Sequence, residues 1–149
     1  MEIEKEIKQT KFQNEFHKVF INVIFTSGWL SEQFHKALKP YGVSLQQFNI
    51  LRILRGQSGK PASIRVLQER MLDKMSNASR LVEKLRKKNL VERHECESDR
   101  RQVDVMITEK GMKLLGEIDR QMDDFQNNFS NLTKEEAEKL SNLLDKMRG

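Results

Sequence analysis

The chain has 149 residues, 33% of them charged and 7% aromatic, with two prolines, one cysteine and a formal net charge of +5. That is long enough for one domain with a hydrophobic core, and the composition fits a helix-rich globular protein rather than a disordered or collagen-like one. No apolar run approaches the roughly 18 residues of a membrane span, Met1–Lys11 is too charged for a signal peptide, and the lone Cys96 excludes an intrachain disulfide framework.

These exclusions predict a cytoplasmic protein without membrane association. The charge is unevenly placed. Residues 1–43 carry six Lys/Arg against five Asp/Glu, residues 44–108 fourteen against eight, and residues 109–149 seven against nine. The positive excess therefore lies in the middle, between near-neutral arms. A localised basic segment suits a phosphate-binding face, and equally an ordinary solvated surface.

The first forty residues read as one long helix. Ile7, Phe12, Phe16, Val19, Phe20, Val23, Ile24, Leu30 and Phe34 recur mostly at spacings of three and four. Pro40 ends it and Tyr41-Gly42 makes a turn. So many large apolar groups on one helix call for cover, from a helix of a second subunit or from the C-terminal helices of the same chain. Trp29 fits a core position better than a ligand-stacking one.

Ser44 can cap a second helix, in which Leu45, Phe48 and Leu51, with Ile50 and Leu54 as further candidates, face inward. Residues 57–61 form a loop and Ser63 caps a short third helix with Ile64, Leu67 and Met71 on one face. Leu72-Asp73-Lys74 is a tight connection, and Asp73 is the expected cap of a fourth helix.

That fourth helix carries the strongest pattern. Ala78, Leu81, Val82 and Leu85 form a buried stripe, which puts Ser76, Arg80, Glu83 and Lys87 opposite, flanked by Asn77 and Lys84. Short polar residues and an arginine suit base edges in a major groove, and Lys84, Lys87 and Lys88 suit the phosphate backbone. A solvated basic helix face is the plainer alternative. After it come residues 90–96 and 102–108, where Val103, Val105 and Ile107 alternate with polar neighbours. Two strands around a polar tip make a hairpin wing. Arg100 and Arg101 at that tip can reach a narrow minor groove, with Asp99 orienting a neighbouring arginine.

Thr108 is the expected cap of a long fifth helix whose Leu115, Ile118, Met122, Phe125 and Phe129 step by three and four. Thr133 and Glu136 form a capping box for a last helix with Ala137, Leu140, Leu143, Leu144 and Met147 on one face. These seams, like that of the first helix, ask for partners. Dimerisation satisfies them, as would an intrachain bundle.

Read in order, the elements resemble the MarR family of winged helix-turn-helix transcription regulators over nearly the whole chain. The likeness rests on residues 41–48 (YGVSLQQF), residues 79–85 (SRLVEKL), and above all Asp99-Arg100-Arg101 followed by residues 107–111 (ITEKG). It implies a mainly α fold with a small β-hairpin wing, residues 44–108 forming the DNA-binding part and residues 1–40 and 109–149 the dimerisation part. DNA reading is expected from Ser76, Asn77, Ser79 and Arg80, with Asp99 and Arg101 in the wing. The homodimer would use Phe12, Phe16, Val19, Phe125, Leu140, Leu143, Leu144 and Met147. A pseudo-palindromic double-stranded operator and a possible small-molecule effector are the expected partners. The chain departs from the family in the turn, where Leu72 replaces the usual glycine and the small polar cap moves to Asp73 or Lys74.

Other chemistry has little support. Glu95 and Glu97 flank Cys96, which favours an inert thiol. His94 and Cys96 share a strand face but make only two ligands of a metal site, and His17 and His35 lack partners at helical spacing. No phosphate loop, nucleophile elbow or HExxH occurs. The expectation is a non-enzyme with no cofactor, most simply a repressor released by a ligand. A helical protein-interaction module with an acidic partner is the alternative.

Overall fold

The computed structural model describes residues 1–95, 103–128 and 131–149, and the side chains of residues 1–94, 103–122 and 131–149. Cys96, Asp99, Arg100, Arg101 and Phe129 therefore lie outside the described residues, as does the side chain of Phe125. The chain divides into two compact units, residues 1–45 and 46–149.

The first unit holds a single-turn helix α1 (Ile3–Glu6), a long helix α2 (Glu15–Leu38) and a 3-10 turn over Lys39–Tyr41. The expected single helix is thus two. Lys8 takes a left-handed φ of 53°, which a right-handed helix cannot accommodate. Asn14 then starts α2 afresh: its Oδ1 accepts the amide of His17 at 2.9 Å, satisfying one of the open donors of the first turn. The amide of Gln13 donates to His17 Nδ1 at 3.3 Å, and Phe12, now outside the helix, meets His17 edge-on at 5.9 Å. Pro40 sits within the 3-10 turn, and Gly42, at φ 65°, stops it. On α2, Phe16, Val19, Phe20 and Ile24 are exposed, Phe16 at 86%. Trp29 is half-buried.

The second unit contains α3 (Leu45–Arg55) from its second residue on, β1 (Ala62–Ser63), α4 (Ile64–Arg70), α5 (Ala78–Lys87), β2 (Val91–Glu95), β3 (Val103–Ile107), α6 (Glu109–Asn128) and α7 (Lys134–Arg148). The sheet has three strands in the order β1-β3-β2, all antiparallel. The hairpin pairs Val91 with Ile107 and Glu95 with Val103. The third strand was not foreseen: Ala62 pairs with Val105, and two residues are too few to show alternation. Ser63 ends this strand and caps α4 through a hydrogen bond from the Val66 amide at 3.3 Å.

Phe48, Leu51, Leu54, Leu67, Val82, Leu85, Val91, Val105, Leu115 and Ile118 are buried. Gln47 and Ile53 on α3 are also buried, although the stripe expected there did not include them. Leu115, Ile118 and Met122 of α6 are buried within the chain, so this part of the expected intermolecular seam belongs to the core. A three-four spacing reads alike whether the partner groove is in the same chain or another. Helix α7 differs. Its capping box is complete, with Thr133 N donating to Glu136 Oε2 at 2.7 Å and Glu136 N to Thr133 Oγ1 at 3.2 Å. None of its residues is buried. Arg55 of α3 and Asp119 of α6 form an ion pair between the two helices.

Candidate nucleic-acid interface

The expected recognition helix is α5, and the structure places its beginning four residues later than expected. Asp73 does not cap it. Asn77 does, its Oδ1 accepting the Arg80 amide at 2.9 Å. Asp73 instead folds the turn: its carboxylate accepts the Met75 amide at 3.0 Å and the Ser76 hydroxyl at 2.7 Å. Those bonds, the Ser76 hydroxyl first, hold its pKa below the ordinary carboxylate value. Ser76 consequently stands before the helix, half-buried, rather than on its outer face.

Two side chains from earlier helices fix this turn. Gln68 of α4 accepts the Ala78 amide at 3.1 Å and donates to the Lys74 carbonyl at 3.2 Å. Asn49 of α3 accepts the Leu72 amide at 2.9 Å. Together they satisfy three backbone groups of the turn. Leu72 is not among the residues of positive φ, so the absence of glycine there causes no strain. Nothing in sequence spacing marks Asn49 or Gln68 for this task. The only hint is a polar residue set between Phe48 and Ile50. The side chains the turn carries point outward: Leu72 is 81% exposed and Met75 94%.

Along α5, Ala78, Val82 and Leu85 are buried, and Ser79, Arg80, Lys84 and Lys87 are exposed. Among the described residues, Arg80, Lys84 and Lys87 make no ion pair. Glu83 behaves otherwise. It accepts from Arg86 at 2.9 and 3.0 Å and from Arg93 of β2 at 3.3 Å. Arg86 is the main reason its pKa falls from 4.5 to about 2. One acidic residue on the expected DNA face thus ties two arginines to itself and joins α5 to the hairpin. Lys88 is also drawn aside, its ammonium 3.4 Å from Gln47 Oε1. The cations left for a polyanion are Arg80, Lys84 and Lys87, which lie at helical spacings of three and four on one side of α5.

Helix α5 ends in a double-bonded stop. Asn89 adopts φ 58°, its amide donates to the Arg86 carbonyl at 2.9 Å, and the Leu90 amide to the Leu85 carbonyl at 3.1 Å. This stop is welded to the start of α6. The Thr108 hydroxyl donates to the Asn89 carbonyl at 2.8 Å and the Thr108 amide to the Leu90 carbonyl at 3.1 Å. Thr108 Oγ1 also accepts the Gly111 amide at 3.0 Å, which makes it the cap expected from the sequence.

The remaining candidates are dispersed. His94 Nε2 lies 3.3 Å from Glu92 Oε2, and His35 is exposed on α2. Among the described residues, no group of three or more His, Cys, Asp or Glu side chains could hold a metal ion. No described helix is long and apolar enough to cross a membrane.

Comparison with known proteins agrees with this architecture. A family model described as MarR family matches residues 41–102. The transcriptional repressor MprA of Escherichia coli K12 is 32% identical over 89 residues, covering 60% of this chain and 51% of that protein; the chain thus spans about half the length of that relative. The crystal structure of a MarR-like transcription regulator from Bacillus cereus superimposes with a TM-score of 0.80 at 26% identity, covering 90% of this chain and 96% of that one. A mutant MarR from E. coli, solved in complex with operator DNA, gives a TM-score of 0.78 at 22% identity over 93% of this chain and 99% of that one, a likeness of fold. With a capped basic helix, a hairpin behind it and these likenesses, the chain is similar to MarR-family transcription regulators, over residues 41–102 by sequence and over nine-tenths of its length in fold.

Proposed function

We propose that the chain is a sequence-specific transcription regulator that binds double-stranded DNA as a homodimer, acts in the cytoplasm as a repressor, and is released by a small-molecule effector. The observation that carries the DNA reading is α5 itself. Its start is fixed by Asn77, Gln68 and Asn49, and its exposed side bears Ser79, Arg80, Lys84 and Lys87. A helix held this firmly at its N-terminal end can place side chains against base edges with little ordering cost. Ser76, Asn77, Ser79 and Arg80 are assigned to base reading, and Lys84 and Lys87 to phosphate. Asn77 Oδ1 is engaged in the cap, so its amide nitrogen is the group assigned to DNA. Asp99, Arg100 and Arg101 are assigned to the flanking minor groove.

Residues 44–108 are the proposed DNA-binding part, and residues 1–40 and 109–149 the dimerisation part. The apolar side chains exposed on α2 and α7, Phe16, Val19, Leu140, Leu143 and Met147 among them, support pairing of two chains, because a stripe of this kind is rarely left to water. Phe12, Leu144 and Phe125 are assigned to the same interface. Two chains related by a two-fold axis would read two halves of a pseudo-palindrome.

Selection from random duplex DNA at moderate salt tests the reading. A palindromic motif with steeply salt-dependent affinity is expected. Recovery of no motif would remove sequence-specific DNA binding. Transcription from a promoter carrying the motif, with and without the protein, tests the sign of regulation.

A further inference from the structure

We infer that Leu72 and Met75, in the turn ahead of α5, read thymine through its 5-methyl group. The inference rests on the DNA-binding reading above and deepens it, because neither residue belongs to the base-reading set proposed there.

The two side chains are 81% and 94% exposed, more than any other large apolar residue of the second unit among the described residues. Folding gives no reason for them, since each is in water. Their backbone is nonetheless held closely. The Leu72 amide is bound to Asn49 and the Met75 amide to Asp73, while Gln68 fastens Lys74, between them, and Ala78 just beyond. A turn built with this many side-chain bonds presents whatever it carries in a fixed place. What it carries is two exposed apolar side chains in the segment just ahead of Asn77, leading into the helix that bears the exposed Arg80 and Lys84.

Those surroundings select the occupant. A protein partner's apolar surface would gain nothing from the neighbouring cations, whereas duplex DNA supplies both complements at once. Its phosphates answer Arg80 and Lys84, and the only apolar group on a base edge in the major groove is the thymine methyl. Methionine suits this use: its unbranched thioether adapts to a small apolar target whose position shifts with local DNA geometry. Leu72, exposed in the same turn, offers a second apolar contact of this kind. The turn would thus add preference for thymine where Arg80 and its neighbours read hydrogen-bonding edges.

The test uses the duplex recovered by selection and replaces its thymines one at a time by deoxyuridine, which removes only the methyl group. Wild-type protein should lose affinity by about fourfold at one or two positions in each half-site, the effect of one buried methyl. Met75→Ala and Leu72→Ala should bind the deoxyuridine duplex about as wild type does, and should no longer distinguish it from the thymine duplex. Thermal unfolding of both variants should match wild type, since neither side chain is packed. If wild type binds the duplex but no thymine-to-uracil change alters its affinity, the inference fails and DNA binding stands. It fails likewise if the variants discriminate as strongly as wild type does. If wild type binds no duplex, the DNA reading falls and takes this inference with it.

Discussion

The carbonyl oxygen of Leu90 lies where the Cβ of any residue other than glycine at position 111 would have to sit. A Cβ built on Gly111 would stand 2.3 Å from that oxygen and 2.7 Å from Ile107 Cγ1. The end of α5 and the first turn of α6 are therefore packed backbone against backbone. Gly111→Ala, a change that stabilises most helices by relieving backbone entropy, should here destabilise by about 1–3 kcal/mol through overpacking. Gly116, five residues along the same helix, is the internal control. A Cβ there meets nothing within 4 Å, so Gly116→Ala should stabilise by about 1 kcal/mol. Urea titrations of the two variants check both signs.

Asn77 has a structural and a proposed reading role, and substitutions separate them. Asn77→Ala removes the cap of α5 and should cost about 1 kcal/mol. Asn77→Asp keeps the accepting oxygen and places a negative charge at a helix N-terminus, so stability should hold or rise slightly. The same charge beside phosphate should weaken DNA binding at least tenfold. Thermal unfolding and gel-shift titrations on the two variants give the separation.

Arg80 and Lys87 stand on one face of α5 but at different depths along it. Arg80→Ala should lower affinity for the selected motif and relax preference at one base pair, by about 1–3 kcal/mol. Lys87→Ala should weaken motif and random duplex alike and reduce the salt slope by about one. Unchanged affinity and preference in Arg80→Ala would mean that another face of α5 meets DNA.

Glu83 should leave a mark on acid unfolding. Its carboxylate is held at a pKa of about 2, against an ordinary 4.5, first by Arg86 and then by Arg93. A depressed folded-state pKa contributes stability that is fully present above the unfolded value and is lost as pH falls through the folded one. Glu83→Gln should therefore flatten the fall in melting temperature between about pH 5 and pH 2. At neutral pH the same change releases Arg86 and Arg93, and affinity for random duplex should increase with a steeper salt dependence.

The exposed faces of α2 and α7 predict a dimer in sedimentation at micromolar concentration. Phe16→Glu and Leu143→Glu each place a carboxylate on such a face, at positions 86% and 54% exposed. Both should shift the protein to monomer while leaving the helical circular dichroism intact. Dimers of undiminished affinity in both variants would rule these faces out as the interface.

Much of this architecture was legible from spacing. The stripe Ala78, Val82 and Leu85, the caps at Ser63, Thr108 and Thr133, and the alternation of Val103, Val105 and Ile107 all declare themselves locally, because a cap or a period is a relation between residues at most a few positions apart. The beginning of α5 was not legible. Asp73 and Asn77 are both acceptable caps, and the choice is made by Gln68 and Asn49, which lie 10 residues before Ala78 and 23 before Leu72. The same holds for Glu83, which reads as an outward-facing residue until Arg93 arrives from another element. The break before α2 escaped for a different reason: Ile7, Phe12 and Phe16 keep an approximate helical period through a stretch where Lys8 has left the helical region. Cofactor and metal expectations rested on missing motifs, and side-chain placement adds nothing to them.

The joint at Asn89, Leu90, Thr108 and Gly111 has an implication for how such proteins diversify. It lies at the foot of the hairpin, where Val91 faces Ile107, and it settles the angle between two helices without reference to anything further out along the strands. The paired residues further out, Arg93 with Val105 and His94 with Asp104, take no part in that joint. Relatives can therefore differ in the sequence of the strands while keeping the same meeting of α5 with α6.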